Sequence, residues 1–157
     1  MGRTYTSLTY HIVFSTKYRQ SLILPDFEEE LYRYIGGIIR SKEGVQLEIG
    51  GTMDHVHIMA ALPAKISVSD MLRFIKTNSS SWVNQRPGME NQQKFEWQPG
   101  FGAFTVSHSG KEKLRAYIQN QKQHHAKKTY KDEFLAILVA HGIEYDPKLV
   151  FEDEHYG

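Results

Sequence analysis

The chain has 157 residues, no cysteine and a formal net charge of only +1. That length fits one compact domain with appendages, because a chain of this size buries roughly 70% of its unfolded surface and leaves little for a second core. The composition excludes disulfides and thiolate metal sites, and no apolar run reaches the ~20 residues of a membrane span or forms a secretory signal, so we expect a cytoplasmic protein without membrane contacts.

The first elements follow from apolar periodicity. Alternating apolar residues predict a strand over residues 7–16, and apolar residues at helical spacing predict a helix over 27–42 with Asp26 as its cap. Gly36 and Gly37 lie inside that helix, where each costs up to about 1 kcal/mol relative to alanine. The helix must therefore either pack very closely at this point or bend, and we favour close packing.

The middle of the chain alternates strand and helix patterns. Residues 45–51 and 55–62 predict two short strands, joined as an antiparallel hairpin by the turn-forming sequence between them. The remaining elements are predicted by the same criteria, in chain order, as a helix over 69–85, short strands over 95–97 and 103–107, a helix over 109–128 and a last helix over 131–141.

This order of elements predicts an α+β fold. A helix after the first strand, a central hairpin and a second helix are typical of a ferredoxin-like or RRM-like sandwich, with a central antiparallel sheet and helices packed on it. We divide the single domain, residues 1–157, into an α+β core over 1–108, a C-terminal tyrosine-bearing helix over 109–128, and a C-terminal helix with an acidic tail over 129–157.

The third predicted strand begins with two histidines separated by one residue. His55 and His57 project to one face of the strand, whereas Val56 and Ile58 enter the core on the other face. Two converging imidazoles suit two metal ligands, and Asp54 immediately precedes them. The pair alone is a weak signal, because two histidines on a strand are more often hydrogen-bonded surface or core residues.

The helix predicted over 109–128 presents a phenol and an amide together. Tyr117 and Gln121 lie one turn apart on one face of it. Basic residues surround this face, as suits a helix near a phosphate backbone: Lys113, Arg115, Lys122, Lys127 and Lys128. Half-buried packing is the alternative for Tyr117, since the chain has nine tyrosines.

The two weak signals share one chemical logic. A free phenol has a pKa near ~10 and is a poor nucleophile at neutral pH, but a divalent metal can polarise a phosphate and offset the developing charge. Attack by the phenol would give a covalent phosphotyrosine. Because that link retains the ester energy, a second strand's hydroxyl could reverse it and join DNA without ATP.

The order of these motifs resembles the HUH-type single-tyrosine transposases of the smallest bacterial insertion sequences. The resemblance rests on His55-Val56-His57 and on Tyr117 to Gln121, about sixty residues later. It extends over nearly the whole chain through YHIVFSTKYR, GTMDHVHI, FEWQPGFGAFTVSHS, YIQNQKQHH and HGIEYD. A related branch, the transposases associated with repetitive extragenic palindromes, shares the catalytic plan and fits less closely.

The resemblance implies roles for four residues. His55 and His57 would bind Mg²⁺ or Mn²⁺, Gln121 would be the third ligand, and Tyr117 would form a 5′-phosphotyrosine and free a 3′-OH. It further implies a bacterial, DNA-associated transposase that cleaves and rejoins single-stranded DNA carrying hairpins at the ends of the element. It also implies a homodimer in which the tyrosine helix can complete the partner's active site.

Charge is distributed unevenly along the chain. The net charge is −1 over residues 1–64, +8 over 65–131 and −6 over 132–157. The basic middle favours an encounter with phosphates, whereas we expect the acidic end, from Glu144 to Glu154, to face solvent or limit non-specific binding.

No motif identifies the residues that read a hairpin. Charge alone suggests DNA contacts by Lys17, Arg19, Arg73 and Lys76, and ordinary solvated surface is the alternative for each.

Three further histidines are interpreted as accessory. We prefer to place His124 and His125 on the exposed side of the tyrosine helix rather than on a phosphate or metal. His11 is interpreted as a sheet residue near the site rather than a ligand.

Two other functions remain open. The chain could be a catalytically inactive hairpin-DNA-binding regulator of the same fold, but the presence of all four catalytic-type residues weighs against this. It could also be a metal-dependent phosphodiesterase in which water attacks. The tyrosine helix with its glutamine weighs against that reaction, because water attack would not require it.

Overall fold

The structure, a computed structural model, describes residues 2–151, so Glu152 to Glu154 of the predicted acidic end lie outside the described residues. Within that range no helix is long and apolar enough to cross a bilayer. The strands and α-helices are, in chain order, β1 (Thr9–Ser15), α1 (Glu28–Ser41), β2 (Val45–Gly51), β3 (His55–Ala61), α2 (Val68–Asn84), β4 (Gly102–Thr105), α3 (Lys111–Gln119), α4 (Gln121–His124) and α5 (Tyr130–Ala140).

The four strands form one antiparallel sheet in the order β2-β3-β1-β4. Each of the two central strands, β1 and β3, is followed by an α-helix before the next strand, and β2 and β3 form a hairpin, as in a ferredoxin-like sandwich. The predicted α+β class with helices packed on a central antiparallel sheet is therefore confirmed.

Both faces of the sheet are covered in the described chain. On one face, Ile12 and Phe14 of β1 and Val56 and Ile58 of β3 pack into the main core beneath α1 and α2. Each of these four side chains is at most 1% exposed, and burying one contributes about 1.5–3 kcal/mol relative to leaving it in water.

The second face carries a smaller core. Val13 of β1 and Phe104 of β4 pack there with Tyr130 and Leu138 of α5. Because successive residues of a strand point to opposite faces, the odd-numbered histidines of β1 and β3 lie on this face as well. The C-terminal helices thus cover the polar side of the sheet.

The beginning of α1 corrects one prediction. Asp26 is not its cap, because Phe27 occupies the N-cap position and forms no side-chain cap hydrogen bond. Three glutamates, at positions 28–30, follow in the first turn and favour the positive end of the helix dipole.

The two glycines of α1 differ in their surroundings. A Cβ atom on Gly36 would lie 3.1 Å from Nε2 of Gln46 on β2, whereas one on Gly37 would meet nothing closer than Nη2 of Arg40 at 3.8 Å. Close packing therefore accounts for Gly36 and not for Gly37.

The segment predicted as a strand over 95–97 is not one, and only Trp97 forms an isolated bridge, with Thr16. The side chain of Asn84 satisfies the backbone of Phe95, donating to its carbonyl oxygen at 3.0 Å and accepting from its N–H at 2.8 Å. A side chain thus replaces the neighbouring strand that these groups would otherwise need. The apolar residues that suggested a strand fill the core, where Phe95 is 1% exposed.

The tyrosine-bearing helix predicted over 109–128 is also corrected. It consists of two helices, α3 and α4, separated at Asn120, whose φ of −95° and ψ of 14° are not helical. Both are followed by α5, which begins one residue earlier than predicted because the Thr129 hydroxyl accepts a hydrogen bond from Asp132 N at 3.2 Å and caps it.

Helix α3 lies directly against the backbone of β2. A Cβ atom on Gly50 would lie 2.6 Å from the carbonyl oxygen of Ile118. Real Cβ atoms do not approach a backbone oxygen so closely, so only glycine allows α3 to lie at this distance from the sheet.

We predict that Gly50→Ala lowers the free energy of unfolding by about 1–3 kcal/mol, because the added methyl group forces backbone apart rather than a flexible side chain. Gly37→Ala is the matched control. The same methyl group there makes only an ordinary contact, 3.8 Å from the end of the Arg40 side chain, and should stabilise the protein by up to about 1 kcal/mol. Urea unfolding of both variants measures this, and equal stability of the two would contradict the close contact between α3 and β2.

Candidate metal and tyrosine site

The histidine pair lies on the sheet face that the C-terminal helices cover. His55 and His57 are fully buried, at 0% exposure each. In the register of the sheet they pair with Ser15 and Val13 of β1. The two imidazoles are neighbours on one face, with ring centroids 5.1 Å apart, as strand alternation predicts.

Neighbouring side chains orient both rings. Nδ1 of His55 donates to Oδ1 of Asp54 at 2.7 Å, and the Thr52 hydroxyl donates to the same oxygen at 2.8 Å. Nδ1 of His57 lies 2.8 Å from Nε2 of His11. Both Nε2 atoms are thereby turned away from the strand, towards the C-terminal helices, which is the arrangement by which second-layer partners orient histidine ligands in metal sites.

Helices α3 and α4 bring their two predicted residues to this point. Oε1 of Gln121 lies 3.0 Å from Nε2 of His55. The ring centroid of Tyr117 lies 5.7 Å from that of His57. The structure therefore brings together, within one chain, the four residues assigned from the sequence to metal binding and nucleophilic attack.

A fifth residue, Glu133 of α5, connects them. One carboxylate oxygen, Oε2, accepts hydrogen bonds from the Tyr117 hydroxyl and, at 3.0 Å, from Nε2 of Gln121. The other, Oε1, lies 2.9 Å from Nε2 of His57 and 2.9 Å from Nε2 of His125. All four acceptor positions of the carboxylate are thus in use.

Glu133 did not emerge from the sequence as a site residue, although a signal was present. It stands among Tyr130, Phe134, Ile137 and Leu138, the residues that α5 turns towards the second core. Glutamate is almost never fully buried unless it has partners. An acid within an apolar helical stripe therefore indicates a buried polar site.

His125 corrects a second interpretation. It lies in the site and not on an exposed side of the helix, because its side chain is only 9% exposed and its ring centroid is 4.4 Å from that of His55. His124 is 32% exposed and its Nε2 lies 3.5 Å from Oε2 of Glu133. His11 is a sheet residue beside the site, as interpreted from the sequence.

The pKa values of the charged groups reflect burial and these hydrogen bonds. Burial alone lowers the pKa of His55, but hydrogen bonds with Asp54, Glu133 and Gln121 outweigh it and raise that pKa to about 9. Burial dominates for His57 and lowers its pKa to about 4 despite the contact with Glu133. Burial and the neighbouring His57 lower the pKa of His11 to about 3.

The pKa values of Glu133 and Tyr117 shift in opposite directions. Burial would raise the pKa of Glu133, but hydrogen bonds from His55 and His57 hold it well below its usual range. Burial and the adjacent carboxylate raise the pKa of Tyr117 above its usual value of 10. In this arrangement the carboxylate is ionised and the phenol keeps its proton.

The donor set fits a divalent metal. One ligand atom from each of four residues, His55, His57, His125 and Glu133, lies within 4.8 Å of the others. Gln121 adds an amide oxygen beside His55. Imidazoles, a carboxylate and an amide are ligand types available to a protein without cysteine, although His55 would have to lose its Nε2 proton to bind a metal.

The four residues proposed from charge as DNA contacts have different surroundings. Arg19 lines an open cleft next to His125, and Arg73 on α2 forms an exposed ion pair with Asp70 at 3.3 Å. Lys76 donates to the carbonyl oxygens of Gln98, at 2.9 Å, and Gly100.

Burial lowers the pKa of Lys76 to about 8. Lys17 shares a second cleft with Lys76, and its ammonium group lies 5.1 Å from the ring centroid of Tyr18. Arg19 shares its cleft with Asp54 and His125 of the histidine site.

An antiparallel ferredoxin-like sheet with a buried His-x-His pair facing a tyrosine from a following helix defines the class of HUH-type single-tyrosine transposases. A family model described as "Transposase IS200 like" matches residues 4–121. The chain belongs to this family. It is therefore a transposase related to insertion sequences, a class of protein that cleaves and transfers DNA strands.

Relatives agree with this family, and solved structures share the fold. The transposases for insertion sequence element IS200 of Salmonella typhimurium and Salmonella typhi are each 30% identical over 128 residues, which cover 77% of this chain and 81% of theirs. A crystal structure of a candidate transposase from Deinococcus radiodurans has a TM-score of 0.58 and 22% identity, covering 77% of this chain and 96% of that one. A REP-associated tyrosine transposase bound to a REP hairpin has a TM-score of 0.60 and 19% identity, covering 80% and 73%.

We predict that in the metal-free protein His55 stays protonated to about pH 9, whereas His57 stays neutral down to about pH 4. The raised pKa of His55 contributes stability that is complete below the unfolded value of ~6.5 and is lost as pH rises through 9. The lowered pKa of His57 contributes stability that is complete above ~6.5 and is lost as pH falls towards 4. The contribution of these two histidines to the free energy of unfolding is therefore largest near neutral pH.

Histidine NMR titrations measure both pKa values directly, and urea unfolding across the same pH range measures the linked stability. A His55 ring that loses its proton below pH 6.5 would contradict the hydrogen-bonded arrangement with Asp54.

Proposed function

We propose that the protein cleaves and rejoins single-stranded DNA at the ends of an insertion sequence through a 5′-phosphotyrosine at Tyr117. The observation that carries this proposal is the position of one carboxylate, Glu133, between the Tyr117 hydroxyl and the Nε2 atom of His57. This carboxylate connects the phenol to the two imidazoles that we propose as metal ligands.

The tyrosine supplies the attacking oxygen. A Mg²⁺ or Mn²⁺ ion held by His55, His57 and Gln121 would polarise the scissile phosphate and offset the charge that develops on it. The phenolic oxygen of Tyr117 bonds to phosphorus while the bond from phosphorus to the 3′ oxygen breaks, and that oxygen takes up a proton to become a 3′-OH. The phenolic proton already points at Oε2 of Glu133.

Rejoining reverses the same exchange of bonds. A 3′-hydroxyl of a second strand attacks the phosphotyrosine, the new phosphodiester forms, and the Tyr117 oxygen leaves and recovers its proton. One ester bond forms as another breaks in each step, so no nucleotide cofactor is required. A single tyrosine therefore suffices for cleavage and for joining.

The substrate must reach a site whose histidines are buried. His55 and His57 are 0% exposed, whereas Tyr117 is only partly buried and thus forms the more open side of the site. The cleft lined by Arg19, Lys122 and Lys128 adjoins His125. Three cations beside the site would attract a phosphate backbone.

Single-stranded DNA with a hairpin at each element end is the proposed partner. Support comes from the family and from the solved REP-associated relative, which is bound to a REP hairpin. The homodimer, with a tyrosine helix that completes the partner's site, stays a prediction. Light scattering of the protein with and without DNA tests it.

We predict that Tyr117→Phe abolishes the covalent protein–DNA adduct, because phenylalanine retains the ring and lacks the attacking oxygen. The assay incubates the protein with Mg²⁺ or Mn²⁺ and a labelled single-stranded oligonucleotide that carries the element end, followed by denaturing electrophoresis. Tyr145→Phe, which removes a hydroxyl from the second core, is the matched control. An undiminished adduct in Tyr117→Phe would reject this nucleophile.

We also predict that His57→Ala reduces cleavage by at least about 100-fold while hairpin binding stays within about twofold, since loss of one ligand disables metal-assisted chemistry more than the DNA-binding surface. Adduct formation and a fluorescence-anisotropy titration with the same hairpin measure the two effects. Cleavage at the wild-type rate would show that His57 is not a metal ligand. It would also favour a reaction in which the metal has no part.

A further inference from the structure

The donor set around Glu133 is richer than the two histidines and one glutamine that the family resemblance implies. Three imidazole nitrogens converge on one carboxylate oxygen. Nε2 of His57 and of His125 lie 2.9 Å from Oε1 of Glu133, and Nε2 of His55 lies 3.5 Å from it. Each ring therefore presents the same nitrogen to one small volume.

We propose that Glu133 and His125 are metal ligands together with His55 and His57, and that this donor set selects a first-row divalent transition ion over Mg²⁺. The proposal concerns the metal of the site described under the proposed function and rests on that function for its catalytic meaning. The four ligand atoms lie within 4.8 Å of one another.

Ligand chemistry supports both the proposed ligands and the proposed preference for a transition ion. Mg²⁺ is bound mainly by oxygen atoms and retains several waters, whereas imidazole suits zinc, iron, nickel and copper. Three histidines, or two histidines and a glutamate, are ligand sets of catalytic zinc sites. Glu133 is the one anionic group in this cluster and would offset part of the charge of the ion.

The second oxygen of Glu133 gives the residue a further effect. Oε2 accepts from the Gln121 amide nitrogen at 3.0 Å, which fixes the orientation of the amide and turns its oxygen towards His55. The same oxygen accepts from the Tyr117 hydroxyl. A carboxylate that binds the metal through Oε1 would thus hold the nucleophile and Gln121 through Oε2.

A competing arrangement is a carboxylate that fills the site and must leave before a metal enters. The two arrangements predict opposite changes in metal affinity when Glu133 is replaced. If Glu133 is a ligand, its loss weakens metal binding. If Glu133 instead occupies the metal position, its loss strengthens metal binding, because the imidazole nitrogens are freed.

The experiment titrates the metal-free full-length protein with Co²⁺ and follows the visible absorption bands that report its coordination. We expect E133Q to weaken Co²⁺ binding at least about tenfold and to change the spectrum, since glutamine keeps the shape of glutamate and removes the charge. H125N should weaken binding by a similar factor. D132N, an exposed neighbour on α5, and H108N, an exposed histidine outside the cluster, are the matched controls and should bind as the wild type does.

The effect of each substitution on folding is separated from its effect on metal binding by comparing each variant with its own metal-free form. The increase in Tm on addition of Co²⁺ should shrink in E133Q and H125N and persist in both controls. E133D, which keeps a carboxylate on a shorter side chain, should bind with intermediate affinity and serves if E133Q does not fold. A large excess of Mg²⁺, about 100-fold over Co²⁺, should leave the Co²⁺ bands in place.

Three results would overturn the proposal. Unchanged Co²⁺ affinity and spectrum in E133Q would show that Glu133 is not a ligand, and tighter binding would show that it obstructs the site. Displacement of Co²⁺ by an equal concentration of Mg²⁺ would reject the preference for a transition ion. Binding is measured without DNA, so these results are independent of whether Tyr117 forms an adduct.

Discussion

The need to give every buried polar group a partner governs the sheet face that carries the site. β3 places two imidazoles on this face and apolar residues on the other, and the C-terminal helices then remove the imidazoles from water. A buried polar group without a hydrogen bond costs roughly 1–3 kcal/mol. The nitrogen atoms of His55 and His57 are all within hydrogen-bond distance of Asp54, His11, Gln121 or Glu133, so the site forms one connected network.

The network links parts of the chain that are far apart in sequence. β1 contributes His11, the β2–β3 hairpin contributes Asp54, and α4 and α5 contribute Gln121 and Glu133. A change in any one of these elements alters the partners of the others, since hydrogen bonds within a network are not independent. The charge of Glu133 is stabilised by the same histidines that a metal would use. A metal bound by these histidines, as proposed, would therefore also change the hydrogen bonds that attach the C-terminal helices to the sheet.

The sequence predicted the sheet and the central part of the site because both depend on local periodicity. Alternation in β1 and β3 assigns each residue to a face, and the i to i+4 spacing assigns Tyr117 and Gln121 to one side of a helix. The interruption at Asn120 leaves that relation intact, as both side chains still reach Glu133. Glu133 itself enters the site through the docking of α5, a tertiary contact that no local pattern specifies. The residues proposed from charge as DNA contacts stay a prediction, because charge in the sequence does not specify which cations already have partners in the fold, as Arg73 has in Asp70.

Gly50 also determines how closely the helix that carries Tyr117 can approach the sheet. It pairs with His57 across the hairpin. Because it has no side chain, the carbonyl oxygen of Ile118, the residue after Tyr117, can lie directly against the backbone of the strand. The contact at Gly50 thus fixes the distance between the helix that carries the tyrosine and the strands that position the histidines. In related chains, we expect glycine opposite the second histidine to accompany a tyrosine helix that docks in this way, and a bulkier residue there to mark a helix that sits elsewhere.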